Sequence, residues 1–415
     1  MTVGWTRPVR PPSANWAKSP DVLSPRAIIA GAGIGGLAAA IALSQAGFRV
    51  AIYEKASTLE EFGAGVQLTP NATRILSRLG VLDRVLRFAS RPRAVLVLRG
   101  SDNIELTRMP LDDAERRWGA AYLVIHRADL QRALVEAVHG QTGVELSLGS
   151  TVLDFTDQGG RLSLIWTNGL GQVHDEADLL IGADGLRSRV RDRLGFGSQD
   201  KAEFAGRIAY RAIAEADAPG LQWMRRNDII LRLGRDAHFV QYPLRGGSII
   251  NLVATIASTA PGGGDQGDGA AKQSMLESAF RRWSKEARSL ISAPIQWRAW
   301  PLYCRPPIPS FSLGRVALVG DAAHPMVPFL AQGAAQAIED AGALARSLAK
   351  VDDISAAVSL YSHDRVARAA RVQREALKLG HIYHLSGPLA FARDLTMRAL
   401  GSSRLAERYD WLYGA

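Results

Sequence analysis

With 415 residues, the chain is long enough for two or three domains, or for one large α/β body with an insertion. Its composition, 47% hydrophobic and 22% charged, is typical of a soluble globular protein. The net charge is +10, but the 50 Lys and Arg residues form no block of like charge, which argues against a nucleic-acid binder and favours attraction for small anions. A single cysteine, Cys304, excludes an intrachain disulfide and favours a reducing, cytoplasmic setting.

The first segment in chain order is a leader, residues 1–25, that is rich in Pro, Arg and Trp and lacks the pattern of a secretory signal. We expect it to form a flexible arm. The uncharged run that follows, Ala27 to Leu43, is short for a membrane span and is interrupted by glycines. The sequence therefore predicts no segment that crosses a membrane.

From residue 26 the chain reads as strand, glycine-rich turn, helix and strand, which is one βαβ unit. In its turn, Gly31 permits the tight bend, Gly33 lets a diphosphate approach the backbone, and Gly36 lets the helix pack on the strand. The helix N-terminus then presents free N–H groups to the diphosphate. Glu54 ends the next strand, where a carboxylate accepts hydrogen bonds from ribose hydroxyls. This context predicts a dinucleotide site rather than a merely structural turn.

The middle of the chain is rich in strands. A hairpin is predicted for Val95 to Arg99 and Ile104 to Thr107, and an antiparallel meander for residues 151–174. Residues 204–304 alternate apolar and polar side chains over several strands, which predicts a mixed sheet with one face against a cavity. A glycine-rich loop, Ala260 to Ala271, interrupts this sheet.

After residue 315 the chain returns to a strand followed by a helix, and from Ile354 it is mostly helical. In this tail arginine recurs every three residues. We interpret the repeat as a solvated basic helix face rather than a binding site. Its members are Arg365, Arg368, Arg371 and Arg374.

Two acidic residues follow apolar strands. Asp184, before Gly185, either caps the next helix or binds a cofactor. Asp321 follows the run RVALVG, where an acid can hold a polyol by its hydroxyls. Because NAD offers only riboses whereas FAD has a ribityl chain between diphosphate and ring, Asp321 favours FAD. The helix that begins near Gln332-Gly333 would direct N–H groups at the flavin pyrimidine edge, where its dipole stabilises negative charge.

These motifs occur in the order found in a known family. The segments are GAGVQLTPN, AAYLVIHRADL, IGADGLRSRVR, AYRA, HFVQYPLRGGSIINLVA and GDAAHPMVPFLAQGAAQAIEDA. From about Arg26 to its end, the chain resembles the group A flavoprotein aromatic hydroxylases, which have the para-hydroxybenzoate hydroxylase fold. Within that family it is most similar to the branch of salicylate hydroxylase and 6-hydroxynicotinate 3-monooxygenase.

The resemblance implies an α/β fold. A Rossmann-like FAD-binding domain with the GxGxxG turn is interleaved with a mixed-sheet substrate domain, and a helical C-terminal tail follows. The implied boundaries are residues 26–90, 115–203 and 305–353 for the FAD-binding domain, 91–114 and 204–304 for the substrate-binding domain, and 354–415 for the C-terminal helices.

The resemblance also implies roles for residues at the FAD. Arg127 reaches its diphosphate or ribityl region, Asp321 binds the ribityl chain, and Asp184 with Gly185 serves both the FAD diphosphate and the nicotinamide cofactor. His324 is expected to be a structural residue of its turn. The complete predicted cofactor set is Gly31, Gly33, Ile34, Gly35, Gly36, Glu54, Lys55, Val66, Gln67, Arg127, Asp184, Gly185, Asp321, Gln332 and Gly333.

The activity that the resemblance implies is that of a monooxygenase. NADH or NADPH transiently reduces the flavin, dioxygen forms a C4a-hydroperoxide, and one oxygen atom passes to a small aromatic or heteroaromatic acid or phenol. Two alternatives stay open. One is a larger polycyclic or isoprenoid substrate, for which the loop at Ala260 to Ala271 would leave room; the other is a flavin-binding regulatory protein without oxygenation. We expect no metal, and a monomer or homodimer.

At three positions the sequence departs from these relatives. Gln67 stands where the hydroxynicotinate enzymes carry a histidine base, and a glutamine takes no proton. Arg207 stands where some hydroxybenzoate hydroxylases of the branch carry a histidine, and Pro328 where some use glutamine. The identity of the catalytic base is therefore open.

We therefore predict that other titratable residues act in catalysis in place of these histidines. The predicted catalytic residues are Tyr242, Tyr210 and His238. Period-2 alternation places His238, Val240 and Tyr242 on one face of their strand, and Phe239 and Gln241 on the other. Either of two arginines could pair with a substrate carboxylate through a bidentate contact. The predicted substrate residues are Arg207, Arg211, Tyr242, Pro328 and Phe329.

Overall fold

The computed structural model describes residues 24–59, 65–196, 200–218, 221, 227–260, 269–271 and 273–414. Most of the expected N-terminal arm and of the glycine-rich loop at 260–271 lies outside these residues. The strands are β1 (Arg26–Ala30), β2 (Arg49–Glu54), β3 (Gly65–Leu68), β4 (Ala94–Arg99), β5 (Glu105–Pro110), β6 (Leu123–His126), β7 (Val144–Leu148), β8 (Thr151–Asp157), β9 (Leu162–Thr167), β10 (Gln172–Ala177), β11 (Leu179–Gly182), β12 (Glu203–Glu215), β13 (Ile229–Gly234), β14 (Ala237–Leu244), β15 (Ile249–Ala257), β16 (Gly269–Ala271), β17 (Trp297–Cys304), β18 (Ser312–Leu313) and β19 (Val316–Leu318).

The helices are α1 (Ile34–Gln45), α2 (Pro70–Arg78), α3 (Leu82–Leu86), α4 (Ala114–Trp118), α5 (Arg127–His139), α6 (Arg189–Leu194), α7 (Gln273–Phe280), α8 (Lys285–Ser292), α9 (Gly333–Lys350), α10 (Ile354–Tyr383), α11 (Gly387–Glu407) and α12 (Asp410–Tyr413). Among the residues described, no helix is both long enough and apolar enough to cross a membrane.

The first sheet has six strands in the order β18, β19, β11, β1, β2, β7. β1 pairs in parallel with β2 and β11, β2 with β7, and β11 with β19, so the carboxyl ends of these strands meet at one edge. The alanine-rich helix α1 is buried over most of its length and packs against β1, β2 and α9. This sheet therefore has the strand-end edge at which dinucleotides bind in α/β proteins.

The second sheet has eight strands in the order β16, β17, β12, β15, β14, β13, β4, β5. Its pairs are antiparallel except for β13 with β4, which confirms the mixed sheet predicted for residues 204–304. One face carries Phe239 and packs on Phe280 of α7 and on Leu290 of α8. The opposite face, with Val240 and Tyr242, borders a cavity.

Two smaller sheets complete the strands described, and one predicted hairpin lies at the edge of the eight-stranded sheet. β10, β9 and β8 form the predicted antiparallel meander, and β4 with β5 forms the predicted hairpin. β3 pairs antiparallel with β6. Asn251 of β15 accepts a hydrogen bond from the backbone N–H of Gly65 at 2.6 Å, which ties the small β3–β6 sheet to the large one.

The prediction of a solvated basic face on α10 is wrong for two of its arginines. Arg365 is only 3% exposed, and its guanidinium pairs with Asp340 at 2.7 Å and also with Glu339. Arg368 pairs with Glu339 at 2.6 Å and donates to the backbone carbonyl of Trp411. Arg365 and Arg368 therefore contact α9 and α12, whereas Arg371 and Arg374 are exposed as predicted.

Candidate flavin and substrate site

The turn between β1 and α1 has the geometry that its three glycines predict. Gly31 has φ +107°, and a Cβ there would lie 2.5 Å from the carbonyl oxygen of Ala183. A Cβ on Gly36 would lie 2.0 Å from the carbonyl oxygen of Gly31, so strand and helix meet too closely for a side chain. The Cβ position of Gly33, in contrast, has no described atom within 4 Å outside its own neighbours. The turn is therefore tight on its inner side and open where a diphosphate would lie.

Glu54 holds this turn from the end of β2. Its Oε2 accepts a hydrogen bond from the N–H of Ala32 at 2.7 Å, and its Oε1 accepts one from the N–H of Ala56 at 2.9 Å. The carboxylate thus lies beside the glycine turn, where the adenosine ribose of a dinucleotide is bound in folds of this type. Lys55, which follows it, is exposed.

A cavity of about 340 Å³ lies between the strand-end edge of the six-stranded sheet and the eight-stranded sheet. It brings together residues that are far apart in the sequence. From the predicted cofactor set it is lined by Gly33, Ile34, Gly35, Val66, Gln67, Arg127, Gly185, Asp321 and Gly333. From the predicted catalytic and substrate sets it is lined by Arg211, His238, Tyr242 and Pro328.

Asp184 and Gln332 of the predicted cofactor set do not line this cavity and instead bind other groups of the protein. Asp184 accepts a hydrogen bond from the N–H of Arg189 at 2.7 Å and so caps the start of α6. Gln332 is fully buried before the first residue of α9 and donates to the hydroxyl of Thr69 at 2.9 Å. In each case it is the following glycine that reaches the cavity.

Asp321 is exposed to the cavity because a buried carboxylate holds the turn that carries it. Asp340 of α9 accepts a hydrogen bond from the N–H of Gly320 at 2.8 Å. The same carboxylate contacts His324 Nε2 at 2.6 Å and pairs with Arg365 at 2.7 Å. Burial alone would raise the pKa of Asp340, but His324 and Arg365 together hold that pKa below its ordinary value. His324 is thereby engaged in the support of the turn and does not line the cavity.

Two arginines give the cavity a positive character. Burial lowers the pKa of Arg127, while Asp321 acts in the opposite direction. Burial, and then the charge of Arg127, lowers the pKa of Arg211 to about 10. Both guanidinium groups are still charged near neutral pH, so their combined field favours an anionic ligand in this cavity.

The cavity face of β14 is the one that the alternation predicts. His238, Val240 and Tyr242 line the cavity, whereas Phe239 lies in the core on the other side and Gln241 binds Arg232 there. Burial raises the pKa of the Tyr242 phenol, which is therefore neutral and able to donate or accept a hydrogen bond. The predicted grouping of these β14 side chains agrees with the structure.

The structure does not bring two of the predicted residues to the cavity wall. Tyr210 is 5% exposed and packs in the core on the opposite face of the sheet, because its neighbour Arg211 occupies the cavity side of β12. Arg207 lies further along β12, opposite Ala257 of β15, and is half-buried. A direct catalytic role for Tyr210 is incompatible with this placement.

A second chamber of about 450 Å³ adjoins the first and is mostly apolar. Its walls are mainly Leu, Ile, Val and Met side chains from the eight-stranded sheet and from α10 and α11. Phe329, a predicted substrate residue, lines this chamber. The residues that line both spaces are Gln67, His238, Val240, Pro328 and Ala331.

Several cavity residues were not predicted. Val253 and Thr255 of β15 lie directly opposite Val240 and His238 of β14, and both line the cavity. The alternation in SIINLVATIA was the signal that could have identified them. Tyr122, whose hydroxyl donates to Gln67 Oε1 at 2.6 Å, lines the apolar chamber and gave no local signal in the sequence. His384 lines neither space but contacts His238, and it gave no local signal either.

The residues of this chain fit FAD. The open position at Gly33 and the free start of α1 suit a diphosphate, and Glu54 stands beside them at the end of β2. Asp321 lies farther along the same cavity, where it would meet the ribityl chain, and Gly333 begins α9 at the wall, where a ring could approach the backbone. These features define a flavin-dependent oxidoreductase with a Rossmann-like cofactor domain.

Comparison with known proteins places the chain in a family. Residues 25–376 match the family model described as "FAD binding domain", and the chain belongs to that family. It is 36% identical over 391 residues to 3-hydroxybenzoate 6-hydroxylase of Polaromonas naphthalenivorans, covering 93% of this chain and 95% of that protein. It is 34% identical over 355 residues to 6-hydroxynicotinate 3-monooxygenase of Pseudomonas fluorescens, covering 85% and 90%.

The fold agrees with these matches. A solved structure described as "Salicylate hydroxylase substrate complex" superposes with a TM-score of 0.80 at 25% identity, covering 94% of this chain and 96% of that one. The predicted resemblance to the salicylate hydroxylase and 6-hydroxynicotinate 3-monooxygenase branch is confirmed. The protein is an FAD-dependent monooxygenase of the aromatic-ring hydroxylase type.

The role predicted for Asp321 can be tested by its removal. We expect Asp321→Ala to weaken FAD binding roughly tenfold or more, because a charge-assisted hydrogen bond to a ribityl hydroxyl would be lost. Asp321→Asn keeps the size of the side chain, so its FAD affinity should lie between those of Asp321→Ala and the parent protein. FAD titration followed by flavin fluorescence measures the effect. An alanine variant with the flavin occupancy of the parent protein would contradict this assignment.

Proposed function

We propose that this enzyme uses NAD(P)H and dioxygen to hydroxylate a small aromatic or heteroaromatic acid or phenol. The observation that carries the proposal is the boundary between the two chambers. There a cavity with charged arginines meets an apolar chamber, and Gln67, His238 and Pro328 belong to both. Such a boundary suits a ligand with one anionic end and one aromatic body.

The cofactor would be held along the first cavity by groups from several segments. The glycine turn and the start of α1 would bind the diphosphate, Glu54 the adenosine ribose, and Asp321 the ribityl chain. The start of α9 would face the ring, where its N–H groups favour negative charge. When bound and reduced, the flavin supplies the activation of dioxygen; the protein's part is to position it and keep water away.

The substrate would be positioned by the side chains around it. Arg211 offers a guanidinium for a carboxylate, and Tyr242 offers a hydroxyl beside it on the same wall. Val240 and Pro328 supply apolar surface against which an aromatic ring can pack. The enclosure of this space by the apolar chamber would exclude water from the reacting ring.

A larger substrate is the second candidate, and the apolar chamber is the observation that favours it. Its volume of about 450 Å³ exceeds that of the 340 Å³ cofactor cavity, and most of its lining is aliphatic. A hydroxylated ring with an apolar substituent could place the substituent there. The similar enzymes 3-hydroxybenzoate 6-hydroxylase and 6-hydroxynicotinate 3-monooxygenase act on small aromatic acids, which favours the first candidate.

The proposal is tested by the reaction itself. The FAD-loaded protein is mixed with NADH or NADPH and a panel of hydroxybenzoates, hydroxypyridine carboxylates and their alkyl-substituted forms. Stimulated oxidation of the nicotinamide and a product with one added oxygen by mass spectrometry are expected. Turnover restricted to alkyl-substituted rings would favour the larger substrate. Reduction that no aromatic compound stimulates would count against the proposal.

Arg211 gives a sharper test of the carboxylate contact. We expect Arg211→Met to raise the KM for an aromatic acid roughly tenfold or more, because a charge-assisted bidentate contact is lost, while the KM for a phenol without a carboxylate changes little. Arg235→Met is the matched control, since Arg235 is exposed at the β13–β14 turn. Steady-state kinetics with both substrate types measure the effect. Equal losses for acid and phenol would show that Arg211 does not select the carboxylate.

A further inference from the structure

His238 and His384 form a buried pair at the wall between the two chambers. Both are nearly inaccessible to solvent, with exposures of 4% and 6%. His238 Nδ1 lies 2.7 Å from His384 Nε2, the ring centroids are 4.9 Å apart, and the planes differ by 26°. The rings therefore meet nitrogen to nitrogen and share one hydrogen bond.

The pair is fixed by segments that are distant in the sequence. His384 directly follows α10, and its carbonyl oxygen lies 3.5 Å from the N–H of Asp236, at the start of the strand that carries His238. The rings of Phe329 and Tyr383 stand edge-on to His238, with centroids 5.3 Å and 5.5 Å away. These contacts leave His238 little freedom to rotate away from His384.

Neither ring carries a charge near neutral pH. Burial, and then the charge of Arg207, lowers the pKa of His238 to about 3. Burial, followed by His238 and Arg207, lowers the pKa of His384 to about 2. Each imidazole therefore has one N–H and one bare nitrogen, so only one of the two can donate in the shared hydrogen bond.

The surroundings of His384 decide which ring donates. Its Nδ1 is buried and has no hydrogen-bond partner among the described residues. If His238 donated, the proton of His384 would have to sit on that Nδ1 as an unpaired buried N–H, which is among the rarest groups in folded proteins. If His384 donates from Nε2, only a bare nitrogen is left buried. The second arrangement places the proton of His238 on Nε2, on the side of the ring away from His384.

We propose that His384 is a positioning residue that holds His238 as an Nε2–H donor to an oxygen atom of the aromatic substrate. The identity of that ligand rests on the proposed function. Gln67 supports the same conclusion. Its Oε1 accepts a hydrogen bond from the Tyr122 hydroxyl, which leaves its amide nitrogen as a donor at the same wall. With Arg211, these groups form a set of donors rather than a proton acceptor.

This arrangement needs no histidine base at Gln67 or Arg207. A site built from donors favours a phenolate over a phenol, because N–H groups stabilise the charged oxygen. The substrate is then bound as its phenolate, with the phenolic proton released to bulk water, and no side chain needs to take that proton. An electron-rich phenolate is also the better nucleophile toward an activated oxygen.

The tautomers are measured directly in the FAD-loaded protein. Long-range ¹H–¹⁵N correlation of ¹⁵N-histidine distinguishes Nδ1–H from Nε2–H, and His238→Gln and His384→Gln assign the two rings among the eight histidines. We expect both to carry their proton on Nε2, with His238 Nδ1 as a hydrogen-bond acceptor. A proton on His238 Nδ1 overturns the proposal. This readout needs no turnover and is independent of the proposed function.

Variants of His384 test the effect on ligand binding. His384→Phe should shift the ¹⁵N resonance of His238 Nδ1 to that of an unbonded acceptor, and should weaken binding of 3-hydroxybenzoate roughly five- to tenfold, as for one lost buried hydrogen bond. His384→Gln keeps an N–H donor near the same place and should restore both. His381→Phe, an exposed change in the last turn of α10, is the control and should change neither the resonance nor the affinity.

Two results separate this proposal from the proposed function. If His384→Phe leaves both the Nδ1 resonance and the affinity unchanged, the positioning role is overturned. If the tautomers are as expected but no hydroxybenzoate perturbs the flavin spectrum of any form, the pair is supported and the proposed substrate class is what fails.

Discussion

A Gly36→Ala variant is expected to lose bound FAD and to unfold at a lower denaturant concentration than the parent protein. Its added Cβ would lie 2.0 Å from the carbonyl oxygen of Gly31, a backbone atom of the same tight turn. Strand β1 and helix α1 would have to separate, at a cost of about 3 kcal/mol or more. Because α1 also packs on α9, the displacement would reach the start of that helix, where Gly333 lines the candidate cofactor cavity.

Gly33→Ala provides the matched comparison, because its effect should fall on the cofactor alone. The Cβ position of Gly33 is open, and its φ of −68° with ψ of 178° suits any residue. We expect the unfolding free energy of the FAD-free protein to stay within about 0.5 kcal/mol of the parent. The dissociation constant of FAD should rise roughly tenfold or more, since a methyl group would occupy space needed by the diphosphate.

The two variants are distinguished by urea unfolding of the FAD-free protein and by FAD titration. Gly160→Ala is the neutral control: Gly160 is exposed in a turn, and a Cβ there has no described atom within 4 Å. Parent-like stability of Gly36→Ala would show that the turn can relax. Parent-like FAD affinity of Gly33→Ala would show that the diphosphate does not pass over this residue.

Local patterns were sufficient to predict the backbone features of the candidate cofactor site. The glycine turn, the acid at the end of β2 and the helix beginning at Gly333 are each determined by residues within a few positions of one another. The strand periodicity of β14 likewise gave the cavity face of His238 and Tyr242, because side chains alternate along any strand. Such features can be predicted from one sequence since they depend on short stretches of backbone geometry.

The substrate half depended on packing between distant segments, which no local pattern encodes. Tyr210 was a reasonable catalytic candidate by residue type, but the pleat of β12 turns it into the opposite core. His384 lies 146 residues from His238, and nothing in the surrounding sequence marks it. The arginine repeat on α10 has the spacing of a surface stripe. Arg365 is nevertheless buried, because it pairs with the carboxylates of Glu339 and Asp340 on α9.

An Asp340→Asn variant is expected to destabilise the protein by about 3 kcal/mol, because removal of one partner leaves the buried guanidinium of Arg365 under-compensated. Glu339 still faces that arginine, which keeps the loss from being greater. The turn at Gly320 also loses part of its anchor, so FAD affinity should fall as well. Asp364→Asn, an exposed change on α10, is the control and should alter neither the unfolding free energy nor the FAD affinity.

The pH dependence of this loss identifies its electrostatic origin. The pKa of Asp340 is depressed in the folded state by His324 and Arg365 against the effect of burial, so its contribution to stability is present above the unfolded pKa of about 3.9. That contribution disappears as the pH falls through the depressed pKa of the folded state, because both states are then protonated. In urea unfolding from pH 7 downward, the difference between the parent and Asp340→Asn should therefore be constant at neutral pH and shrink below about pH 4. A stability difference that stays constant at acidic pH would mean that the variant loses packing or hydrogen bonding rather than the charge on Asp340.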